Sequence, residues 1–387
     1  MKQLLYLFKT FILIGSTSFG GYMTLISMMR NKMVTRDKSV DDNLIAEGIS
    51  LASMLPGPVA VNVVAYTGFH IAGIAGALVS IISVLAPSFI LVLGLTLVYI
   101  QAGSKIGFES ILLGIFPVVA GVIFSTGVSM GRKICTKLPH YGIAVLSFAL
   151  LFFLKGYWVI LLILGLSAVA GVLLFRKEIT PAPTSVNKPW KPILLSLGIY
   201  VVVLVAIILF SSGSILGKLL EQFSYVSLTL FGGGYVMVPV LKSILVDQLN
   251  WFNNQEFIYG ISIGQVTPGP ILISSVFFGY KMAGIAGALI ATIAIFFPSA
   301  MLMLILSNIF ISLKHNMIVQ SALMGLKPAV VGMILYSGFS IFIGQTTGAN
   351  LFLSVALTAV TFWLVFRFNI ATVIVILGGG ILGFLIY

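Results

Sequence analysis

Long apolar runs follow one another along nearly the whole chain, and they are continuous rather than alternating. Residues 193–212, 283–313 and 370–387 are three of them, each at least 18 residues long. A hydrocarbon core about 30 Å thick is crossed by roughly 20 helical residues at 1.5 Å each. Unbroken runs predict helices, because the strands of a membrane barrel would alternate polar and apolar positions. The pattern therefore predicts an all-α, polytopic membrane helical bundle.

Comparing the chain with itself exposes a duplication. Phe19-Gly20-Gly21 matches Phe231-Gly232-Gly233 at an offset of 212, and Gly48, Ser50 and Pro56-Gly57-Pro58 match Gly260, Ser262 and Pro268-Gly269-Pro270 at the same offset. One residue then drops out, and the heptapeptide AGIAGAL at 72–78 recurs at 283–289. Pro87-Ser88 matches Pro298-Ser299, Gly114 and Pro117 match Gly325 and Pro328, and Gly121 matches Gly332. Three parts follow: a first repeat at 1–175, a basic linker with one connecting transmembrane helix at 176–215, and a second repeat at 216–387. The linker carries Arg176, Lys177, Pro181, Pro183, Lys188, Pro189 and Lys191. Because the opening apolar run belongs to the repeat, it is read as part of the fold and not as a signal peptide.

Charge gives the two repeats a direction. The loop at 30–38 carries Arg30, Lys32, Arg36 and Lys38, whereas its counterpart near 242–250 has only Lys242. The loop at 132–139 carries Arg132, Lys133 and Lys137, and its counterpart near 344–350 carries none. Basic loops stay in the cytoplasm, so equivalent loops are expected on opposite sides and the repeats are expected to be inverted. Segments 4–29, 44–69, 216–241 and 256–280 are interrupted by Gly-Gly or Pro-Gly-Pro and are read as interrupted or re-entrant helices. With these four re-entrant, nine further segments cross fully; a count in which all four also cross places both termini the same way. The expected location is the cell membrane, multi-pass, with the N-terminus cytoplasmic and the C-terminus outside.

Composition narrows the function. The chain has 387 residues, 59% hydrophobic and only 8% charged, too few charges to clothe a soluble domain. Its net charge of +12 lies mainly in loops and does not imply nucleic acid. The single Cys135 excludes an intrachain disulfide. His70, His140 and His315 are scattered without ligand spacing, so no metal site, no cofactor and no catalytic constellation is expected. A membrane-embedded enzyme would need paired catalytic groups at membrane depth, and nine acids with three scattered histidines do not supply them.

The candidate site gathers at the interruptions. Pro56, Gly57, Pro58 and their counterparts Pro268, Gly269, Pro270 are expected to break helices within the membrane, with Pro58 and Pro270 in the first turn of the next helix. Such a start points free N–H groups and partial positive charge forward, toward an anion. Gly20, Gly21, Gly232, Gly233 and Gly234 add unencumbered backbone. Ser53 and Asn62 in the first repeat, and Gln265, Thr267, Ser274 and Ser275 in the second, are polar neighbours that either contact solute or bond neighbouring helices. AGIAGAL reads as a close-packing face of small residues. Lys327, inside an apolar segment, either holds an anion or snorkels to the interface. Glu47, whose repeat partner is Tyr259, is a candidate for proton coupling.

Phe231-Gly232-Gly233-Gly234 with Pro239, the run Gly264-Gln265-Val266-Thr267-Pro268-Gly269-Pro270, and AGIAGAL after each Pro-Gly-Pro resemble the chromate ion transporter family in its two-unit form. The resemblance spans nearly the whole chain. It implies secondary transport of an oxyanion, with chromate export as the named activity and sulfate as its close structural mimic. In the first repeat, Tyr22 and Ser53 stand where that family commonly has Pro and Gln. The expected function is efflux of a divalent tetrahedral oxyanion, conferring chromate resistance, with uptake of sulfate or a related anion and a passive anion channel as alternatives. The expected partners are a small inorganic oxyanion and the lipid bilayer; a homodimer is left open.

Overall fold

The computed structural model describes residues 1–19, 22–102, 108–154, 157–176, 213–229, 237–307, 316–343, 351–368 and 370–386, with a few more between 198 and 209. Gly20, Gly21, Gly232, Gly233 and Gly234 lie outside the described residues, as do 177–191 of the predicted linker and most of the connecting segment. Among the described residues the regular structure is helical throughout.

The first repeat contains α1 (Lys2–Thr17), α2 (Tyr22–Met29), α3 (Asp42–Met54), α4 (Val59–Ala102), α5 (Phe108–Ile134), α6 (Leu138–Phe153) and α7 (Tyr157–Phe175). The second contains α8 (Ile215–Thr229), α9 (Met237–Lys242), α10 (Asn254–Val266), α11 (Ser275–Ser307), α12 (Met317–Ile343), α13 (Leu351–Phe368) and α14 (Thr372–Ile386). The duplication extends to details of backbone conformation. Single wider π-type stretches follow α2 at Arg30–Arg36 and α9 at Ser243–Gln248. Lys38 and Asn250, matched in the repeat, both take positive φ, 48° and 52°. Asp41 caps α3 through the N–H of Asn43, and its counterpart Asn253 caps α10 in a reciprocal box with Glu256. These side chains accept from N–H groups that the first helical turn leaves unpaired.

The heptapeptide AGIAGAL is a hairpin turn. Ala72 and Gly73 leave helical geometry, Gly73 with φ 61°, and Ala283 and Gly284 repeat the break with φ 60° at Gly284. A straight helix would hold positions 68 and 76 about 12 Å apart. Instead, a methyl built on Gly76 would strike the carbonyl of Gly68, and one on Gly68 would strike Ser80. Gly279 and Gly287 meet in the same way. Each repeat thus folds α4 or α11 back on itself, and the paired glycines let the two limbs approach at backbone distance.

The residue lost from the repeat register has a structural counterpart. Fourteen steps separate Pro58 from Ala72, and thirteen separate Pro270 from Ala283. In the shorter copy Ile271–Ser274 is a 3₁₀ stretch, where the longer copy is α-helical from Val59. Rising about 2.0 Å per residue rather than 1.5, four 3₁₀ residues and nine α residues span roughly 21.5 Å, against about 21 Å for fourteen α residues. The tighter coil restores the height of the turn.

Two compact units result, and each draws on both repeats. Unit 1 comprises Met1–Leu93, Ile179–Gly234 and Pro268–Gln320; unit 2 comprises Gly94–Glu178, Tyr235–Thr267 and Ser321–Tyr387. Unit 1 holds both hairpin turns and both Pro-Gly-Pro elements. Unit 2 is bound by small residues at helix crossings. Gly171 of α7 meets Gly325 of α12, Gly332 meets Ala144 of α6, and Gly114 of α5 meets Gly379 and Gly383 of α14. Among the described residues, six helices are long and apolar enough to cross a membrane, the folded α4 and α11 included. Outward-facing residues are strongly apolar, with Phe352, Leu173 and Phe153 each more than 75% exposed, whereas Asn62, Ser88 and Ser299 are wholly buried. Apolar surface outside and hydroxyls inside is the arrangement a bilayer solvent demands. The protein is a multi-pass membrane protein.

Candidate functional site

Within unit 1, α3 ends at Leu55, whose N–H still bonds the Leu51 carbonyl at 3.2 Å, and the chain then bends through Pro56-Gly57-Pro58. Gly57 has φ 114°, a conformation closed to other residues without strain. The next bond of helical type runs from the Asn62 N–H to the Pro58 carbonyl at 3.0 Å. Pro58 is therefore the residue before the first helical turn, one place earlier than expected, because the preceding glycine reverses the chain direction there. The N–H groups of Val59, Ala60 and Val61 stand ahead of that first bond. In the second copy Gly269 has φ 101°, Pro270 caps the 3₁₀ stretch, and the Ile273 N–H bonds the Pro270 carbonyl at 3.0 Å.

Each turn is met by a serine from the other repeat. A methyl built on Gly57 would overlap both Cβ and Oγ of Ser299, and one built on Gly269 would overlap Oγ of Ser88. Ser88 donates to the Pro268 carbonyl. Ser299 donates to Oδ1 of Asn62 at 3.3 Å, while Nδ2 of Asn62 reaches the Pro56 carbonyl at 3.4 Å. Ser88 and Ser299 hold equivalent places just after Pro87 and Pro298, where the helix lacks a backbone donor and opens. A further bond ties the Gly269 N–H to the Ser18 carbonyl at 2.9 Å, at the end of α1. The two repeats thus grip each other's broken helix, and every group in these contacts is neutral.

The predicted residues divide between the units. Pro56, Gly57, Pro58, Asn62, Pro268, Gly269 and Pro270 fall in unit 1. Ser53 lies there too, but its hydroxyl bonds the Ile49 carbonyl of its own helix at 2.7 Å. Gln265, Thr267 and Lys327 fall in unit 2. Thr267 bonds back to the Gly264 carbonyl at 3.1 Å. Gln265 is 5% exposed, and neither atom of its amide has a protein partner. Lys327 projects from an otherwise buried stretch of α12 and is exposed. Glu47, on the exposed face of α3, lies near Tyr66 of the first hairpin limb. In the loop after α2, the Lys32 ammonium 2.9 Å from Asp37 holds that carboxyl below its ordinary range. No group of three potential metal ligands occurs among the described residues.

Sequence reasoning matched Pro87-Ser88 to Pro298-Ser299 but gave them no role. The available signal was that match, a hydroxyl beside a helix-breaking proline in both copies.

A family model described as chromate transporter matches the chain twice, over residues 5–172 and 217–384. An uncharacterized transporter of Methanocaldococcus jannaschii is 31% identical over 337 residues, covering 85% of this chain and 82% of that protein. A probable chromate transport protein of Synechococcus elongatus is 28% identical over 86% of this chain and 82% of its own length. The chromate transport protein of Cupriavidus metallidurans is 26% identical over 74% of this chain and 70% of its own. No solved structure matches.

Proposed function

The chain belongs to the chromate transporter family, and on that premise we propose that it exports a divalent tetrahedral oxyanion, chromate, by secondary transport and so confers chromate resistance. The observation that carries the reading is that, within unit 1, each Pro-Gly-Pro turn is held by a serine of the other repeat, Gly57 by Ser299 and Gly269 by Ser88. Two helix starts at repeat-related positions offer N–H groups in an interior free of fixed charge. Each contributes about 0.3–1 kcal/mol to an anion when exposed and up to about 2 kcal/mol when partly buried. That is too little for a desolvated dianion, so direct hydrogen bonds must supplement the dipoles. Lys327, in unit 2, is a separate candidate for attracting the anion, and Glu47 is the candidate coupling group.

Purified protein in vesicles, offered chromate, sulfate and molybdate under an imposed pH gradient, tests the reading. Uphill accumulation driven by the gradient is the expected result. Flux that never exceeds the electrochemical equilibrium would identify a channel instead, and transport of sulfate with indifference to chromate would identify a sulfate carrier. Lys327→Gln should raise the half-saturating anion concentration about tenfold, a loss near 1.4 kcal/mol, with Lys327→Arg retaining part of the affinity. Unchanged affinity in both variants would leave Lys327 as an interfacial side chain.

In the membrane, the two repeats are proposed to be inverted, with the N-terminus cytoplasmic and the C-terminus outside. Cys135 is buried, so a cysteine introduced at Asn187 or Tyr387 reports on its own position. An impermeant reagent applied to sealed cells should modify only the cysteine at 387. Modification at 187 would reverse the assignment.

A further inference from the structure

Several buried helical hydroxyls in this protein satisfy themselves on the carbonyl one turn back. Thr67, Ser147, Ser262, Thr292 and Ser337 all do so, at 2.7–3.0 Å. Ser274 and Ser275 do not. Both are wholly buried, and neither hydroxyl has a protein partner. They stand where the 3₁₀ stretch passes into α11, immediately after the second Pro-Gly-Pro turn. Ser18 is in the same condition: its hydroxyl is buried and unpartnered while its own carbonyl holds the Gly269 N–H at 2.9 Å. An unsatisfied buried hydroxyl costs stability and calls for an explanation. Three around a single broken helix call for a common one.

We infer that Ser18, Ser274 and Ser275 form a neutral, donor-rich cradle that binds a fully deprotonated tetrahedral oxyanion at the second repeat's turn. The inference rests on the transport reading above and gives the substrate site a side. At that turn the 3₁₀ bond from the Ile273 N–H to the Pro270 carbonyl leaves only the N–H groups of Ile271 and Leu272 ahead of it, one donor fewer than at the α-helical start after Pro58. Hydroxyls make up the deficit, since each can rotate its proton toward an acceptor. The first repeat's turn is not equipped in this way. Asn62, at the place equivalent to Ser274, already bonds the Pro56 carbonyl and accepts from Ser299. Both turns leave backbone N–H groups ahead of their first internal bond, but only the second adds unpartnered side-chain hydroxyls beside them. Ser80, Ser83, Ser227 and Ser243 also lack partners, but none of them stands beside a Pro-Gly-Pro turn in the chain.

The chemistry of the cradle sets its selectivity. No carboxylate bonds any of these groups. Sulfate and chromate dianions present only acceptors and can accept a hydrogen bond from every hydroxyl. Hydrogen phosphate carries a proton of its own at neutral pH, so one serine would have to accept instead of donating. The cradle therefore discriminates against phosphate.

Thermal unfolding of the purified full chain, titrated with sulfate and separately with phosphate, is the test. Ser274→Ala and Ser275→Ala should unfold at or above the wild-type temperature without anion, because each removes an unsatisfied group. Both should need at least tenfold more sulfate for half of the stabilisation, and Ser18→Ala should behave likewise. Ser275→Thr, which keeps the hydroxyl, should retain most of the response. In the wild type, phosphate should stabilise less than sulfate at equal concentration. Alanine variants with wild-type sulfate dependence would overturn the cradle while leaving the transport reading intact. So would variants that unfold well below the wild type without anion, since the hydroxyls would then be structural. Equal stabilisation by phosphate would overturn the selectivity. Wild-type protein that neither binds nor transports sulfate, chromate or molybdate would instead end the transport reading itself.

Discussion

Gly269→Ala should abolish transport, and adding Ser88→Ala should bring part of it back. Two separate costs meet at Gly269. Its φ of 101° is strained for any residue with a Cβ, by about 1–2 kcal/mol. The new methyl would also overlap Oγ of Ser88, although Cβ of Ser88 lies 3.3 Å away. Removing only that oxygen turns an overlap into a tight contact, so the double variant retains the backbone strain and loses the Ser88–Pro268 bond. Gly57→Ala should be as damaging but should respond differently. There Cβ of Ser299 itself overlaps the new methyl, so Ser299→Ala gives no relief and only Ser299→Gly makes room. Each single variant should lose roughly 2–4 kcal/mol of stability or relieve the clash by displacing the turn. Initial transport rates beside unfolding temperatures for the five variants would decide it. Wild-type rates in both glycine variants, or rescue of Gly57→Ala by Ser299→Ala, would show that the turns do not meet these serines in the working protein.

Gly325→Ala should cost more stability than any alanine at an open helix glycine, and Gly325→Leu should yield no folded protein. A methyl at Gly325 would strike the Ser167 carbonyl and come within 2.7 Å of the Gly171 Cα, so backbone rather than a movable side chain stands in the way. Helices α7 and α12 would have to separate, and the small-residue contact that substitutes for hydrophobic driving force inside a membrane would be lost. About 2–4 kcal/mol is expected for alanine. Gly142 and Gly165 have open space where a Cβ would go, and alanine there should be neutral or stabilising by up to about 1 kcal/mol. Unfolding temperatures and monodispersity in detergent provide the comparison. Equal behaviour of the two groups would rule out the close crossing.

Much of this architecture was legible because duplication made weak signals strong. Two Pro-Gly-Pro elements at one offset mark broken helices, where one alone would mark only a kink. Matched N-cap residues at Asp41 and Asn253 are equally visible once the register is known. The heptapeptide was harder. Small residues at helical spacing announce close packing, but nothing in AGIAGAL distinguishes a packed face from a reversal, since glycine serves both. The structure answers through the positive φ of Gly73 and Gly284. The serine contacts were not legible. Ser88 and Pro268 lie 180 positions apart, and Ser299 and Asn62 lie 237 apart. A hydroxyl in an apolar helix gives no hint of which carbonyl it reaches. Lys327 stood out through its cost in lipid, but that cost says nothing about the unit to which it belongs.

The interleaving of the two units governs how the protein can be made. Unit 1 is not complete until residue 320 has been synthesised, and unit 2 waits for the last helix. When the first repeat has entered the membrane, both bodies are half-built, with glycine grooves and serine hydroxyls facing lipid. The contacts that complete them close loops of about two hundred residues, which places assembly in the slow, high-contact-order regime of folding. The linker joining the repeats is therefore no boundary between folding domains. Cutting there severs both bodies at once, and the two fragments should mature only when produced together, each serving as the template on which the other folds.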